Sequence, residues 1–169
     1  MVDAAPMLIM PPRLCVICDT REKAPWQFSA SADVEVATLH VGDYSVRGFE
    51  TRWAIERKSL ADYVGSVTTG RDRFLRELSL LRRYEQACII VEATIDDVLE
   101  RRYQKRSRRG EMVGSIVHPN SVLGTTHALR SRYVPVYFEG PPSHAALSAE
   151  GLLWRWLRDE QAMKAKGTP

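Results

Sequence analysis

Short apolar runs alternate along this chain with stretches whose apolar residues recur at helical spacing. Leu14 to Cys18 is a continuous apolar run ending in Asp19-Thr20-Arg21-Glu22, which predicts a buried strand with polar residues at its carboxyl end. A second strand is predicted from Val34 to Val41, where Val34, Val36 and Thr38 alternate with Glu35, Ala37 and Leu39. Gly42 permits a sharp change of direction, after which Tyr44–Val46 and Trp53–Lys58 read as two strands joined by a turn around Gly48-Phe49-Glu50-Thr51. Ser59 opens a helix running to Val67, and a second helix from Arg71 to Glu85 carries Phe74, Leu75, Leu78 and Leu81 on one stripe. Ala87–Val91 is wholly apolar and ends at Glu92, as suits a central strand covered on both faces. Thr94 then caps a short helix through Leu99. A further helix is predicted from Asn120 to Arg130, with Val122, Leu123 and Leu129 inward. Val134–Phe138 reads as a strand whose Pro135 suits an edge or a strand start. Ser143 opens the last helix, where Leu152, Leu153, Trp156 and Leu157 form a stripe broader than a small core needs. That stripe has two readings, a dimer surface or a helix that closes the core.

Strands alternating with helices predict one three-layer α/β domain over residues 14–165, with a central sheet that is mixed because the hairpin is antiparallel. With 169 residues, 44% hydrophobic and 27% charged, the chain can bury an ordinary core, and its net charge of +3 permits a nucleic-acid partner without arguing for one. The opening MVDAAPMLIMPPR has no basic leader and only a four-residue apolar run. A loose tail over residues 1–13 is therefore expected, rather than a signal peptide or membrane span. Cys15 and Cys18, three apart in a strand, point to opposite faces and do not suit a zinc site. With Cys88 they read as reduced thiols in a cytoplasmic protein. The histidines lack ligand spacing and receive no role.

The stretch from Gly42 to Asp62 departs from this regular pattern by carrying charge where a strand should be apolar. If the hairpin turn is centred between Phe49 and Glu50, residues whose numbers sum to 99 lie opposite each other, and Asp43 faces Glu56. Opposed like charges weaken a ladder unless a cation sits between them. Alternation puts Ala54, Glu56 and Lys58 on one face and Trp53, Ile55 and Arg57 on the other. A lone Glu-x-Lys arises by chance roughly once in two chains of this length, whereas the four fixed residues of Glu-Arg-Lys-x-x-x-Asp arise in only about two in a thousand. Asp43 and Glu56 are hard oxygen donors suited to Mg²⁺ or Mn²⁺, one or two ions, with Asp19 a further or water-mediated ligand and Glu22 a weaker one. Lys58 is placed to orient an attacking water or neutralise developing charge. Asp62 has two readings, a cap for the helix that Ser59 opens or a partner that orients Lys58. Arg101 to Arg109 holds six basic residues in nine, Arg101, Arg102, Lys105, Arg106, Arg108 and Arg109, and reads as a mobile loop over about 101–112 that is either simply solvated or suited to phosphate backbones.

Asp19-Thr20-Arg21-Glu22, Gly42-Asp43-Tyr44, Glu56-Arg57-Lys58-Ser59-Leu60-Ala61-Asp62, Gly70-Arg71 and the later ACIIVEA stand in an order and spacing that resemble the nuclease domain of the XPF-type structure-specific DNA endonucleases. The resemblance is specific over roughly Leu14 to Ala93. It implies a restriction-endonuclease-like fold, metal-dependent cleavage of DNA phosphodiesters at branched, flap or junction structures, and pairing as a homodimer or with a related subunit. It also implies roles for Arg57, as a salt bridge or a phosphate contact, and for Arg71, with Arg73 beside it as a DNA-binding candidate. Larger relatives carry a tandem helix-hairpin-helix module after this domain, and none is expected after Ala165. Catalytically silent partners also occur in this family, so a DNA-binding or scaffolding subunit is the alternative, and an RNA target is not excluded. The resemblance implies a cytoplasmic or nucleoid setting in a prokaryote or phage and a nuclear one in a eukaryote.

Overall fold

The computed structural model describes residues 13–106 and 112–166, with backbone only at 105, 106 and 112. The apolar run forms β1 (Leu14–Asp19), which pairs in parallel with β2 (Ala32–Ala37) and antiparallel with β3 (Tyr44–Val46). β4 (Trp53–Ser59) returns antiparallel to β3 with Tyr44 opposite Ile55, the register in which paired numbers sum to 99. β5 (Gln86–Glu92) runs parallel to β4, and β8 (Val136–Phe138) runs parallel to β5 at the far edge, with Pro135 just before it. The mixed sheet has the order β2-β1-β3-β4-β5-β8.

Both faces are covered, because β1 and β5 are apolar on both sides. On one face Ala54, Ile89 and Val91 pack with buried residues of α1 (Leu60–Val67), α2 (Arg71–Leu81) and α4 (Pro119–Arg132), joined by Val98 of the short α3 (Ile95–Leu99). On the other face Val16, Tyr44, Ile55, Cys88 and Ile90 meet α5 (Pro142–Ala165) through Ala145, Ala149, Leu153, Trp156 and Leu157. Three residues of the C-terminal stripe thus lie against the sheet. Trp156 packs edge-on against Phe49 at 4.6 Å, so α5 closes the core.

The caps follow the sequence. Ser59 accepts a hydrogen bond from the Asp62 amide, and Thr94 makes a reciprocal capping box with Asp97. His118, which had no predicted role, caps α4 by accepting from the Asn120 amide at Nδ1. β2 is shorter than expected. It stops at Ala37 because the chain turns inward there, burying Leu39 and Val41, while the Asp19 carboxylate accepts the Leu39 amide. The second helix ends at Leu81 rather than Glu85, where tight turns bring the chain round to β5. The basic segment is not wholly a loop, since β6 (Lys105–Arg106) pairs with β7 (Met112–Val113). Arg108, Arg109 and the tail except Arg13 lie outside the described residues. Among the described residues no helix is long and apolar enough to cross a membrane.

Because Leu153 is fully buried under the sheet and Leu147 of the same helix is 68% exposed, the two leucines should separate core closure from surface burial. Leu153→Ala is expected to lower stability by about 2–5 kcal/mol, and Leu147→Ala by less than about 0.5 kcal/mol, in chemical denaturation. Equal effects would show that α5 does not close this face.

Candidate active site

The carboxyl ends of β1, β4 and β5 and the start of β3 meet at one edge of the sheet, the position where open α/β sheets expose groups to a ligand. Gly42 places Asp43 there. Its φ of 82° is open to glycine, and a Cβ would meet the Ile55 carbonyl at 3.0 Å. The Asp43 amide donates to the Ile55 carbonyl at 2.8 Å, and the Asp43 carbonyl accepts the Asp19 amide at 2.8 Å, so its backbone ties β4 to β1. Asp43 Oδ2 accepts the Arg57 amide at 2.7 Å.

Alternation along β4 divides its charges between two faces. Glu56 and Lys58 lie on the side of Ala54, toward α1 and α2, with Lys58 Nζ donating to Glu56 Oε1 at 2.7 Å and standing 5.3 Å from the Phe74 ring centre. Together with Asp43 they line a cleft of about 680 Å³, walled by α1 and by Arg73 and Glu77 of α2. Arg57 lies on the other side. Its Nε and Nη2 donate to Glu92 at 2.8 and 3.1 Å, and its Nη1 donates to Glu22 at 2.9 Å. Burial disfavours its charge, but these two carboxylates hold the guanidinium firmly protonated. The salt-bridge alternative for Arg57 is therefore the one this geometry contains.

Asp19 is at the same edge but is 1% exposed, with both carboxylate oxygens engaged. Oδ1 accepts from the Arg21 amide and Nε at 2.9 and 2.6 Å, and Oδ2 accepts from the Leu39 amide at 2.6 Å. Burial alone would raise its pKa, yet these bonds hold it below the ordinary aspartate value. Asp62 meets Ser59 instead of Lys58, through Ser59 Oγ donating at 2.6 Å, which is the capping alternative. Arg71 leans on Thr125 at 3.4 Å, outside the cleft. Arg101 and Arg102 are exposed after α3, with Arg102 paired to Asp97 and Glu100.

Four participants were not among the sequence candidates. Arg21 lines the cleft with Asp43 and Glu56, and Glu77 faces it from α2. Glu92 and Trp26 form the far side of the Arg57 network, with Trp26 Nε1 donating to Glu92 at 2.6 Å. Glu92 could have been found as the polar end of an apolar strand, but Trp26 lies in a loop with no pattern and meets a partner 66 positions away.

Electrostatically, Asp43 is the unbalanced group. Burial first, and then the negative charges of Glu56 and Glu22, push its pKa up to about 7, against the opposing bond from the Arg57 amide. Two half-buried carboxylates with one lysine beside Glu56 are a donor set that a hard cation would relieve. Among the described residues no cluster of three or more His, Cys, Asp or Glu is arranged to hold a metal ion.

The ERCC4 domain family model matches residues 18–138. Among solved structures, XPF from Aeropyrum pernix is 24% identical, with a TM-score of 0.59 over 82% of this chain and 59% of that one. XPF from Aeropyrum pernix in complex with DNA is 26% identical, with a TM-score of 0.63 over 87% of this chain and 66% of that one. This chain therefore spans less than two thirds of the length of either structure. The shared architecture is the restriction-endonuclease-like three-layer arrangement. No curated protein sequence matches the chain.

A carboxyl whose pKa is higher in the fold than in the open chain favours folding while protonated, and that contribution is lost as pH rises through about 7. Asp43→Asn keeps an acceptor for the Arg57 amide and removes the charge. In cation-free buffer it is expected to raise stability at about pH 8 by on the order of 1–3 kcal/mol, with a much smaller effect at about pH 4, near the ordinary aspartate value. Thermal unfolding at both values measures this, and a variant less stable than its parent at the higher pH would exclude the repulsion.

Proposed function

This chain belongs to the ERCC4 domain family, and from that premise we propose that it is a Mg²⁺- or Mn²⁺-dependent DNA endonuclease that hydrolyses phosphodiester bonds at branched, flap or junction DNA. The observation that carries the reading is the convergence of Asp43, Glu56 and Lys58 on one side of the sheet edge, in an open cleft with Arg21 and Arg73 on its walls. DNA as the partner is supported by the likeness to the XPF–DNA complex.

Asp43 and Glu56 would hold the cation, and their mutual repulsion fits that role. Asp19, with both oxygens engaged, would reach it only through water, and Glu22 Oε2 has no hydrogen bond among the described residues while Oε1 serves Arg57 and the Ala24 amide. The bound ion would supply Lewis acidity to the phosphodiester and make water a stronger nucleophile at neutral pH. Lys58 Nζ donates to Glu56, where it orients the attacking water or offsets charge developing on the phosphoryl oxygens. Arg21, fixed by Asp19, and the exposed Arg73 bind the flanking phosphates. Arg57 and Asp62 act by holding β4 and the start of α1 in place.

Purified protein is expected to cut labelled branched DNA with Mg²⁺ or Mn²⁺ and to stop when chelator is added. Lys58→Ala and Asp43→Asn should each lower the rate by at least about a hundredfold with DNA binding retained. Binding of DNA without metal-dependent cutting by the parent protein would favour the scaffolding alternative, and cutting confined to RNA would replace the substrate. Arg73→Ala should weaken DNA binding and reduce the slope of log affinity against log salt by about one unit. An unchanged slope would remove Arg73 from the phosphate path.

A further inference from the structure

The reading above leaves the Glu92 carboxylate, next to the site, without a task. Glu92 ends β5 on the face opposite the cleft, its side chain 8% exposed, and it is the acceptor on which three donor atoms converge. Two come from Arg57, through Nε at 2.8 Å and Nη2 at 3.1 Å. The third is Trp26 Nε1 at 2.6 Å. Trp26 is itself fixed to the hairpin, because its ring stacks on Tyr44 with centroids 4.6 Å apart and planes 4° from parallel, and its amide donates to Tyr44 Oη at 2.8 Å. Tyr44 follows Asp43 in the chain, and Arg57 gives its amide to Asp43 Oδ2. The contacts form a closed circuit from Asp43 through Tyr44, Trp26, Glu92 and Arg57 back to Asp43.

Resting on the nuclease reading, we propose that Glu92, with Trp26 as its second donor, is a positioning residue for cleavage: it anchors the Arg57 side chain on the back of the sheet, so that the Arg57 amide holds the Asp43 carboxylate toward Glu56. Chain geometry explains the economy of the arrangement. Arg57 lies between Glu56 and Lys58, so fixing its side chain on one face fixes the direction of both neighbours on the other. The circuit is also selective for a carboxylate. Glutamine at 92 keeps one neutral oxygen for Trp26 Nε1 and Arg57 Nε, which share Oε1, but would turn its own N–H₂ toward Arg57 Nη2, which has only donors to offer. Glu22 would then be the remaining anion on Arg57. Groups that orient a ligating side chain typically carry about ten- to a hundredfold of activity without touching substrate.

The test uses the whole chain and two variants, Glu92→Gln and Trp26→Phe, the second of which keeps a ring for Tyr44 and removes only the indole donor. Under saturating Mg²⁺ or Mn²⁺, Glu92→Gln is expected to lower kcat on branched DNA about tenfold with KM unchanged. Trp26→Phe should lower kcat about threefold, and the double variant should be no slower than Glu92→Gln, because both changes break one circuit. A nitrogen–proton NMR spectrum of the protein without metal or DNA supplies an independent readout. The Trp26 indole signal, identified by its loss in Trp26→Phe, should move and exchange faster with solvent in Glu92→Gln. If Glu92→Gln does not fold, the kinetics of Trp26→Phe decide. A cutting parent with unaffected kcat in the variants, a rise in KM alone, or an unmoved indole signal overturns this inference and leaves the function standing. Absence of any cutting by the parent overturns the function itself and this positioning role with it.

Discussion

The arrangement at the sheet edge rests on a repulsion. Asp43 and Glu56 are like charges in a partly buried setting, and unconstrained side chains would turn apart. They are kept together by backbone pairing. Tyr44 is in register with Ile55, the Asp43 amide is bonded to the Ile55 carbonyl, and Gly42 lets β4 approach where any Cβ would crowd its carbonyl. The hydrophobic effect supplies the energy that sustains this, through Tyr44 and Ile55 in the core on the α5 side and Ala54 in the core on the other. Unfavourable electrostatics confined to a cleft in an otherwise well-packed sheet is a common mark of a site arranged for chemistry.

The two-residue period of a strand then assigns the work. Glu56 and Lys58 share the cleft, while Arg57 between them is sent to the opposite face and enclosed by Glu22 and Glu92. One short sequence, Glu-Arg-Lys, therefore serves two environments, an open polar one and a buried ionic one. The arrangement explains why the arginine beside two candidate catalytic residues is 17% exposed and poorly placed to meet phosphate. It also constrains substitution, since leaving an ion of such a network without its partner is expensive even where the pair itself adds little.

Much of this was legible in the sequence because it depended on local rules. Alternation gave the two faces of β4, the centre of the hairpin turn gave the register of Asp43, and the Ser59 and Thr94 caps marked two helix starts. The stripe on α5 left its purpose open, since an apolar helical face looks the same whether it meets a sheet or a second chain. Its contact with Phe49 and the sheet resolved that. What escaped was non-local. β2 ends early because Asp19, far from it in sequence, takes the Leu39 amide, and no local pattern anticipates a carboxylate that terminates a neighbouring strand. Trp26 was equally silent, because its value lies in one indole bond to Glu92 and a stack on Tyr44.

Charge balance in the cleft bears on how binding events would depend on one another. Its lining residues include the acidic Glu22, Asp43, Glu56, Asp62 and Glu77 and the basic Arg21, Lys23, Lys58 and Arg73, while Arg57, which also borders it, carries its guanidinium to the opposite face, so the cations do not outnumber the carboxylates. Several of the cations are already committed, Arg21 to Asp19, Arg57 to Glu22 and Glu92, and Lys58 to Glu56. A polyanionic strand entering such a cleft meets little net attraction from the protein alone. A divalent cation between Asp43 and Glu56 would tip the balance toward phosphate, and phosphate would in turn favour the cation. By linkage each would tighten the other by the same factor. The like-charge pair that weakens the empty fold is thus what would make occupancy of the cleft by metal and by DNA mutually dependent.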